Sequence, residues 1–263
     1  SRIARDSFND GVDIIAVVGG DGTLNEVVQA YLDPRGEPRP GPDLGVIPIG
    51  TGCDFKRSIG LSGDIQEAVH RLRDTTPRSL DMGVMELVDF QDRPCVRAYI
   101  NITSFGMGGV ADRLVNETPK WLGGKACFFV GSFRAMLKYR NAHVRVRVDG
   151  DVLIDGPIFN VAMANGRYFG GGMMIAPDAD LSDGQLDVVC LGDLSRTEAI
   201  ALSSKIYRGG HVGLSKVSVA RGRVVEADPM RPREEVLLDM DGETPGKLPI
   251  RVRAVQGHLR VRA

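Results

Sequence analysis

The spacing of hydrophobic residues in the first 80 positions predicts helices that alternate with short buried strands. Two continuous apolar runs, at residues 14–18 and 44–48, have the length and the flanking turn residues of strands from the interior of a sheet. Strands that alternate with helices pair in parallel, so this part of the chain predicts a Rossmann-like α/β layer. The predicted helices cover residues 2–9, 24–31 and 64–74.

After residue 80 the pattern changes to short runs in which apolar and polar residues alternate. Many short strands of this kind are typical of an antiparallel sandwich or barrel. We therefore predict an α/β domain at residues 1–80 and a β-rich domain at residues 81–263. The strands predicted in the second domain are 83–88, 97–103, 144–148, 158–164, 185–191, 217–220, 235–239 and 250–255, and the helices are 109–117, 125–140 and 195–207.

The composition is that of an ordinary soluble protein, with 43% hydrophobic residues and a formal net charge of −1. A net charge so close to zero gives no reason to expect nucleic acid as a partner. No apolar run is long enough to span a bilayer and no signal peptide is recognisable, so we expect a cytoplasmic protein. The cysteines show no metal-site spacing and are expected to be reduced: Cys53, Cys95, Cys127 and Cys190.

A glycine-rich segment joins the first predicted strand to the following helix. Glycines allow the backbone to approach a ligand closely, and the first turn of a helix offers unpaired N–H groups to an anion. This pattern predicts a phosphate-binding loop, although it matches neither the Walker A sequence nor the G-x-G-x-x-G sequence of dinucleotide-binding proteins. The segment reads Gly19, Gly20, Asp21, Gly22, Thr23, Leu24 and Asn25.

A second glycine loop follows the second predicted strand. Ligands of parallel sheets bind at the carboxyl ends of the strands, so both loops are expected at the same edge of the sheet. The second loop contains Gly50, Thr51, Gly52, Cys53 and Asp54, followed by the basic residues Lys56 and Arg57.

Two further segments complete a pattern of four motifs: PDADLSDGQLDV at residues 177–188 and DMDGE at residues 239–243. Together and in this order, the four motifs resemble the diacylglycerol kinase catalytic family, which includes sphingosine kinases, ceramide kinases and bacterial YegS-like lipid kinases. GGDG alone is less specific, because NAD kinases and phosphofructokinases are similar there. The resemblance implies a phosphofructokinase/NAD-kinase-like first domain, a β-sandwich second domain, and ATP-dependent phosphorylation of a lipid in the cleft between them.

The resemblance implies that both glycine loops bind ATP. An acid beside phosphates requires an intervening cation, so Asp21 is expected to hold Mg²⁺, directly or through water. Asp54 matches a family acid and is a second candidate contact, with a helix N-cap as the alternative role. Cys53 replaces the usual Asn of the family and is a poorer hydrogen-bond donor. The expected nucleotide-binding residues are Gly19, Gly20, Asp21, Gly22, Thr23, Leu24, Asn25, Gly50, Thr51, Gly52 and Asp54.

The resemblance also assigns the reaction and a second cation. Asp241, which matches the family's catalytic acid, is expected to take the proton of a lipid hydroxyl, and Glu243 is expected either to orient Asp241 or to contribute to the metal shell. The alternative for this motif is an ordinary Asp-Gly hairpin turn. A structural Mg²⁺ is implied at Asp183 and the carbonyl groups of Asp180 and Gln185, and the alternative is again a turn without an ion.

The expected partner is a lipid substrate at a membrane surface, with peripheral contact at the inner face. An apolar helix with basic residues near Trp121 suits such an interface, and a helix packed on the β-rich domain is the alternative. The resemblance further implies that two strands and an Asn-Pro-x-x-Gly loop are missing before residue 1. The sheet edge exposed by that loss is compatible with a homodimer. The rival functions are an NAD kinase-like enzyme and a nucleotide- or lipid-binding protein without turnover.

Overall fold

A computed structural model describes residues 2–49, 53–116, 131–132, 134–136, 138–231 and 234–263. The three helices predicted in the first 80 residues are present and end within a few residues of the predicted bounds. The second of them begins at Asp21 and passes into a 3₁₀ turn at Gln29–Tyr31. The helices are α1 (Arg2–Asn9), α2 (Asp21–Val28), α3 (Asp54–Ser58), α4 (Ile65–Asp74), α5 (Met107–Asn116) and α6 (Arg196–Ile206).

The strands are more numerous than predicted, and the predicted strand at residues 97–103 is divided between two strands. Residues 151–158 and 224–229 form strands that the hydrophobic pattern did not predict, because Asp, Gly, Glu and Pro interrupt their apolar alternation. The strands are β1 (Ile14–Gly19), β2 (Asp43–Pro48), β3 (Arg78–Val88), β4 (Pro94–Tyr99), β5 (Ile102–Gly106), β6 (Ala142–Val148), β7 (Asp151–Ile158), β8 (Asn160–Ala164), β9 (Tyr168–Phe169), β10 (Met173–Met174), β11 (Leu186–Leu191), β12 (Val217–Gly222), β13 (Val224–Pro229), β14 (Leu238–Met240) and β15 (Lys247–Arg262).

The first two strands pair in parallel, as predicted from their alternation with helices. The register runs from Ile14 opposite Asp43 to Gly19 opposite Pro48. Because the carboxyl ends of β1 and β2 are level, the residues that follow them meet at one edge of the sheet. The core of this part is closed by α2, the 3₁₀ turn and α3, which contribute Leu24, Tyr31 and Phe55.

The long strand β15 joins the two parts of the chain. Its final residues, Val261 and Arg262, pair in parallel with β2, while most of its length pairs antiparallel with β3. The register shifts between Val255 and Leu259, where Gly257 has φ +59°. This glycine permits the irregularity, since few other residues adopt a positive φ readily. The predicted boundary between residues 80 and 81 stays a prediction.

The β-rich part is an antiparallel sandwich, as predicted. One sheet continues from β15 through β13 and β6 to β7, and the other has the order β12, β11, β8, β5 and β14. Apolar side chains from both sheets form the core between them, and α6 covers the outer face of the second sheet.

The membrane-facing helix predicted around Trp121 lies largely outside the described residues. The described positions among residues 131–138, including Met136 and Lys138, are helical, whereas residues 139 and 140, which the prediction included, are not. Within the described part of the chain, none of the helices combines the length and the apolar character that crossing a bilayer requires.

Candidate functional site

The first glycine loop leaves β1 and enters α2 within two residues. Gly20 is the N-cap of α2 and has extended backbone angles, φ −98° and ψ −169°. A Cβ atom at Gly19 would lie 2.7 Å from Thr23 Oγ1, so this position cannot carry a side chain without displacing Thr23. Leu24 points into the core, and only its backbone can face the loop.

Asp21 connects the first glycine loop to the start of α3. Its carboxylate accepts hydrogen bonds from the backbone N–H of Asp54 at 2.8 Å and of Phe55 at 3.2 Å. Burial raises the pKa of Asp21, and the nearby charge of Asp54 adds to that effect. A carboxylate in this setting gains from a cation nearby, because a cation would offset both the burial and the repulsion.

Asp54 is buried, and both of its carboxylate oxygens have partners. One oxygen pairs with the guanidinium group of Arg57, and the other accepts the backbone N–H of Gly171 at 2.7 Å. Burial nevertheless raises the pKa of Asp54, against the lowering effect of these partners. Cys53, just before it, adopts a left-handed conformation with φ +47°. Gly50, Thr51 and Gly52 lie outside the described residues.

Asp241 lies buried at the junction of the two parts of the chain, at φ +50°. Its Oδ1 accepts the N–H of Ile102 at 3.0 Å, and its Oδ2 accepts the N–H of Ile100 at 3.3 Å and Asn25 Nδ2 at 3.1 Å. Burial is the largest effect and raises the pKa of Asp241 to about 7, although the three donors lower it. A negative charge on Asp21 raises it further.

Glu243 is exposed and lies beside the first glycine loop. A Cβ atom at Gly22 would be 3.2 Å from Glu243 Oε1, so the carboxylate lies directly against this glycine. Asp239 stabilises the turn that leads from Asp241 to Glu243, because its Oδ1 accepts the N–H of Gly242 at 3.0 Å. Its Oδ2 accepts the hydroxyl of Ser104 at 3.0 Å.

Another acid, Asp112 from α5, faces the turn between Asp241 and Glu243. Its pKa lies well above the ordinary value because of burial first, and then because of the carboxylates of Asp239 and Glu243. Sequence reasoning assigned no role to Asp112 or Asp239. The Asp239-Met240-Asp241 repeat of acids before the turn is the only sequence signal that pointed to Asp239.

Gln29 is another residue that sequence reasoning missed. Its side-chain Nε2 donates to the carbonyl of Ala98 at 2.7 Å, and its Oε1 accepts the N–H of Ala98 at 3.0 Å. The same Nε2 lies 3.3 Å from Asn25 Oδ1. The sequence signal that could have identified Gln29 is its position four residues after Asn25, which places both side chains on one face of the helix.

The predicted structural cation site forms a separate group of residues. Asp183 accepts the N–H of Gln185 at 2.9 Å and forms an ion pair with Arg221 at 3.1 Å. Asp180 accepts the N–H and the hydroxyl of Ser182 at 3.0 and 2.8 Å. These contacts are those of an Asp-Gly turn, the alternative considered for this motif, and they leave carboxylate lone pairs for a cation.

Asp81 faces this loop and was not predicted. Its carboxylate accepts the N–H of Gly184 at 2.6 Å and of Gly257 at 2.7 Å. Burial raises its pKa, and so do the charges of Asp183 and Asp180. The oxygen donors and the excess negative charge suit a hard cation such as Mg²⁺. Within the described residues, however, no three His, Cys, Asp or Glu side chains converge to hold a metal, so carbonyl and water ligands would be needed.

Two known families match successive parts of the chain. Residues 1–85 match the family described as diacylglycerol kinase catalytic domain, and residues 101–263 match the YegS C-terminal NAD kinase beta sandwich-like domain. Among solved structures, a diacylglycerol kinase from Bacillus anthracis str. Sterne is similar, with TM-score 0.66, 21% identity and coverage of 99% of this chain and 79% of that one. Yeast NADH kinase complexed with NADH shares the fold at TM-score 0.50 and 12% identity, covering 95% and 60%.

Curated relatives agree with the family matches. A diacylglycerol kinase from Mycobacterium tuberculosis is 30% identical over 257 residues, which cover 95% of this chain and 77% of that protein. A protein named "Probable lipid kinase YegS-like" from Xanthomonas axonopodis pv. citri is 29% identical over 262 residues, covering 99% and 82%. The chain therefore belongs to the diacylglycerol kinase catalytic-domain family of lipid kinases.

Proposed function

We propose that this protein transfers the γ-phosphoryl group of ATP to a hydroxyl of diacylglycerol or a closely related lipid. The observation that carries the proposal is the contact between Glu243 and Gly22. It brings the carboxylate after the Asp-Gly turn to the loop that is expected to hold phosphate. Several relatives bear the name diacylglycerol kinase, which supports diacylglycerol as the acceptor.

The geometry favours Glu243 over Asp241 as the proton acceptor, which exchanges the two roles expected from the motif. Asp241 is buried, and three N–H groups already point at its carboxylate. Glu243 is exposed and lies against the glycine loop. A proton acceptor must come within hydrogen-bond distance of the hydroxyl, so the exposed carboxylate suits this role better. Asp241 then orients the turn that carries Glu243.

On the nucleotide side, the first loop supplies backbone groups and Asp21 supplies a carboxylate. Asp21, with its raised pKa, fits a nearby Mg²⁺, and Asp183 with Asp81 fits a second one. When bound, Mg²⁺ would neutralise charge on the phosphates. Asp54 is better suited to hold the Gly171 turn, because Arg57 and the Gly171 N–H already engage its two oxygens.

On the acceptor side, an open cavity of about 270 Å³ lies next to α5. Its walls are partly apolar, with Val110, Tyr139 and Val236. The charged residues of the lining are Lys138, Arg140, Glu234 and Glu235, so the positive and negative charges balance. The apolar part of the wall suits an acyl chain. We propose that the lipid approaches the turn from this side.

In the reaction, the acceptor hydroxyl oxygen forms a bond to the γ-phosphorus while the bond to the β–γ bridging oxygen breaks. The hydroxyl proton moves to Glu243, and the products are ADP and the phosphorylated lipid. Little covalent assistance is needed from the protein, because phosphoryl transfer depends mainly on alignment and charge stabilisation.

The test is transfer of labelled γ-phosphate from ATP with Mg²⁺ to diacylglycerol, ceramide, sphingosine, undecaprenol and NAD, with each lipid in mixed micelles. Glu243→Gln should lower kcat on the accepted lipid by about 10²- to 10⁴-fold, as expected for a lost general base. The matched control is Glu86→Gln, an exposed glutamate of β3.

Labelled lipid that disappears with Glu243→Gln but persists with Glu86→Gln would support the proposal and name the acceptor. Labelled NADP would indicate an NAD kinase-like enzyme instead. A folded protein that labels none of these acceptors would contradict turnover and favour a binding role. Equal activity of Glu243→Gln and the control would contradict the proton-acceptor assignment.

A further inference from the structure

Gln29 forms the kind of contact with β4 that a neighbouring strand would form. Its side-chain amide donates to the carbonyl of Ala98 at 2.7 Å and accepts the N–H of the same residue at 3.0 Å. Within the described residues, β4 pairs with no strand other than β3. The amide of Gln29 therefore satisfies the two backbone groups of Ala98 on the open edge of β4.

The same amide group orients Asn25. Gln29 Nε2 lies 3.0 Å from the carbonyl oxygen of Asn25 and 3.3 Å from its side-chain Oδ1. Because a side-chain amide has its acceptor on one side and its donors on the other, this contact turns Asn25 Nδ2 away from Gln29. Asn25 Nδ2 then donates to Asp241 Oδ2 at 3.1 Å and to the carbonyl of Ala98 at 3.3 Å.

The donors that surround Asp241 come from two separate elements. Asn25 belongs to α2, whereas Ile100 and Ile102 belong to the segment that follows β4. The pair between Gln29 and Ala98 joins these two elements close to the point where the donors meet. Any shift of α2 along β4 would move Asn25 relative to the other two donors.

We propose that Gln29 is a positioning residue that holds α2 and the segment after β4 in register around Asp241. By this contact it aligns the turn that carries Glu243 with the first glycine loop. The catalytic part of this inference rests on the proposed lipid kinase function, whereas the structural coupling between Gln29 and Asp241 does not.

Other charged and polar groups also face Asp241. Asp21, from the start of α2, raises its pKa, and the carboxylate of Asp241 in turn adds to the raised pKa of the buried Tyr99 hydroxyl. The backbone N–H of Asp241 donates to the carbonyl of Ile102 at 3.0 Å. The donor from Asn25 is thus one of three that offset the burial of this carboxylate, and it is the one that depends on Gln29.

The experiment compares Gln29→Leu and Gln29→Glu with the same changes at Gln66, an exposed residue of α4. Gln29→Leu should lower kcat for lipid phosphorylation about 10- to 100-fold, the usual loss when reacting groups are misplaced by about an ångström. Gln29→Glu should recover part of the activity relative to wild type as the pH falls, since only the protonated glutamic acid has an O–H, which can donate to the carbonyl of Ala98. The Gln66 variants should match wild type at every pH.

A double-mutant cycle on stability gives a readout that does not need activity. Urea unfolding is measured for wild type, Gln29→Leu, Asp241→Asn and the double variant. We expect the double variant to lose less stability than the sum of the single losses, because both changes break one network. If Gln29→Leu does not fold, Gln29→Glu takes its place in the cycle.

Strictly additive stability losses, or Gln29 variants as active as the Gln66 variants, would overturn the positioning role. If wild-type protein phosphorylates no acceptor, the proposed function fails, and the cycle alone decides whether Gln29 is coupled to Asp241. The two failures can therefore be told apart.

Discussion

The carboxylate of Asp54 accepts the backbone N–H of Gly171 at 2.7 Å. Asp54 opens α3 in the α/β part, and Gly171 lies in the turn between β9 and β10 of the β-rich part. Gly171 and Gly172 have φ values of +83° and +110°, which other residues rarely adopt. This contact therefore joins the two parts of the chain at the edge of the candidate nucleotide site.

We predict that Asp54→Asn lowers the free energy of unfolding by about 2 kcal/mol, in the range for a hydrogen bond to a charged group. The substitution removes the charge that Arg57 pairs with and replaces one acceptor oxygen with a donor. The KM for ATP should rise as the Gly171 turn loosens. Urea unfolding and initial rates at varied ATP measure the two effects.

The control for this prediction is Asp151→Asn, an exposed aspartate at the start of β7. It makes the same chemical change without a buried partner. If both variants unfold at the same urea concentration, Asp54 does not hold the two parts together.

Sequence reasoning placed Asp54 near the nucleotide because a glycine loop and a strand precede it. It could not predict the partner, since Gly171 is 117 residues away and glycine runs have no side chain to signal a contact. The parallel pairing of β1 and β2 was predictable because it follows from local alternation. The return of β15 to β2 was not, because strand order depends on packing between distant segments.

Gly22 offers a test of the contact with Glu243 that leaves all charges in place. A Cβ atom there would lie 3.2 Å from Glu243 Oε1, closer than ordinary van der Waals contact. Gly22 is the second residue of α2, and alanine is favoured over glycine in helices by up to about 1 kcal/mol. We therefore predict that Gly22→Ala keeps or raises stability while kcat falls about tenfold or more, because a misplaced carboxylate reacts poorly.

Gly63→Ala is the matched control, because a Cβ atom there would meet only Lys56 Nζ at 3.5 Å. Thermal unfolding and single-substrate kinetics of both variants separate stability from rate. Equal kcat values for the two variants would show that Glu243 does not act beside Gly22.

The candidate cation site shows a second limit of sequence reasoning. Asp183 belongs to a recognisable motif, but Asp81 stands in an unremarkable strand sequence, Leu80-Asp81-Met82, 102 positions before it. Only the fold brings these two carboxyl groups to one loop. Likewise, the proposed exchange of roles between Asp241 and Glu243 rests on burial, which the DGE sequence alone does not indicate.

We predict that saturating Mg²⁺ raises the melting temperature by about 5 °C relative to a chelator, the shift that about 2 kcal/mol gives in a protein of this size. Burial raises the pKa of Asp81, and repulsion by the carboxylates of Asp183 and Asp180 raises it further; a bound cation would relieve that repulsion. Asp183→Asn should abolish most of this stabilisation. Thermal unfolding with Mg²⁺, Ca²⁺ and chelator measures it without any substrate.

The matched control is Asp178→Asn, which also removes a negative charge near Arg221. It should retain the Mg²⁺ response. If wild type does not respond to Mg²⁺, the ion pair of Asp183 with Arg221 is sufficient to neutralise the loop, and the alternative of a turn without an ion is correct.

The pKa of Asp241 makes stability depend on pH in a direction that is unusual for an aspartate. An unfolded aspartate has a pKa near 3.9, and burial raises that of folded Asp241 to about 7. Between these values the folded protein binds the proton that the unfolded chain has lost, so stability falls as pH rises. Across the whole pH range between the two values, a difference of about three pKa units lowers the free energy of unfolding by about 4 kcal/mol.

Asp241→Asn should remove this pH dependence, because asparagine does not titrate. At every pH the asparagine keeps one acceptor oxygen, which can still accept the N–H of Ile102, and loses the hydrogen bonds that Oδ2 of the aspartate accepts from the Ile100 N–H and from Asn25. Relative to wild type, the variant should therefore gain stability steadily from pH 4 to pH 7 and then level off. Urea unfolding of both proteins at half-unit steps of pH measures the difference. Buried acids that do not interact with Asp241, such as Asp81, cancel in this difference, whereas Asp21 contributes to it because its charge raises the pKa of Asp241. A difference that stays constant over this range would mean that Asp241 is already ionised at pH 4, and that its three donors outweigh its burial.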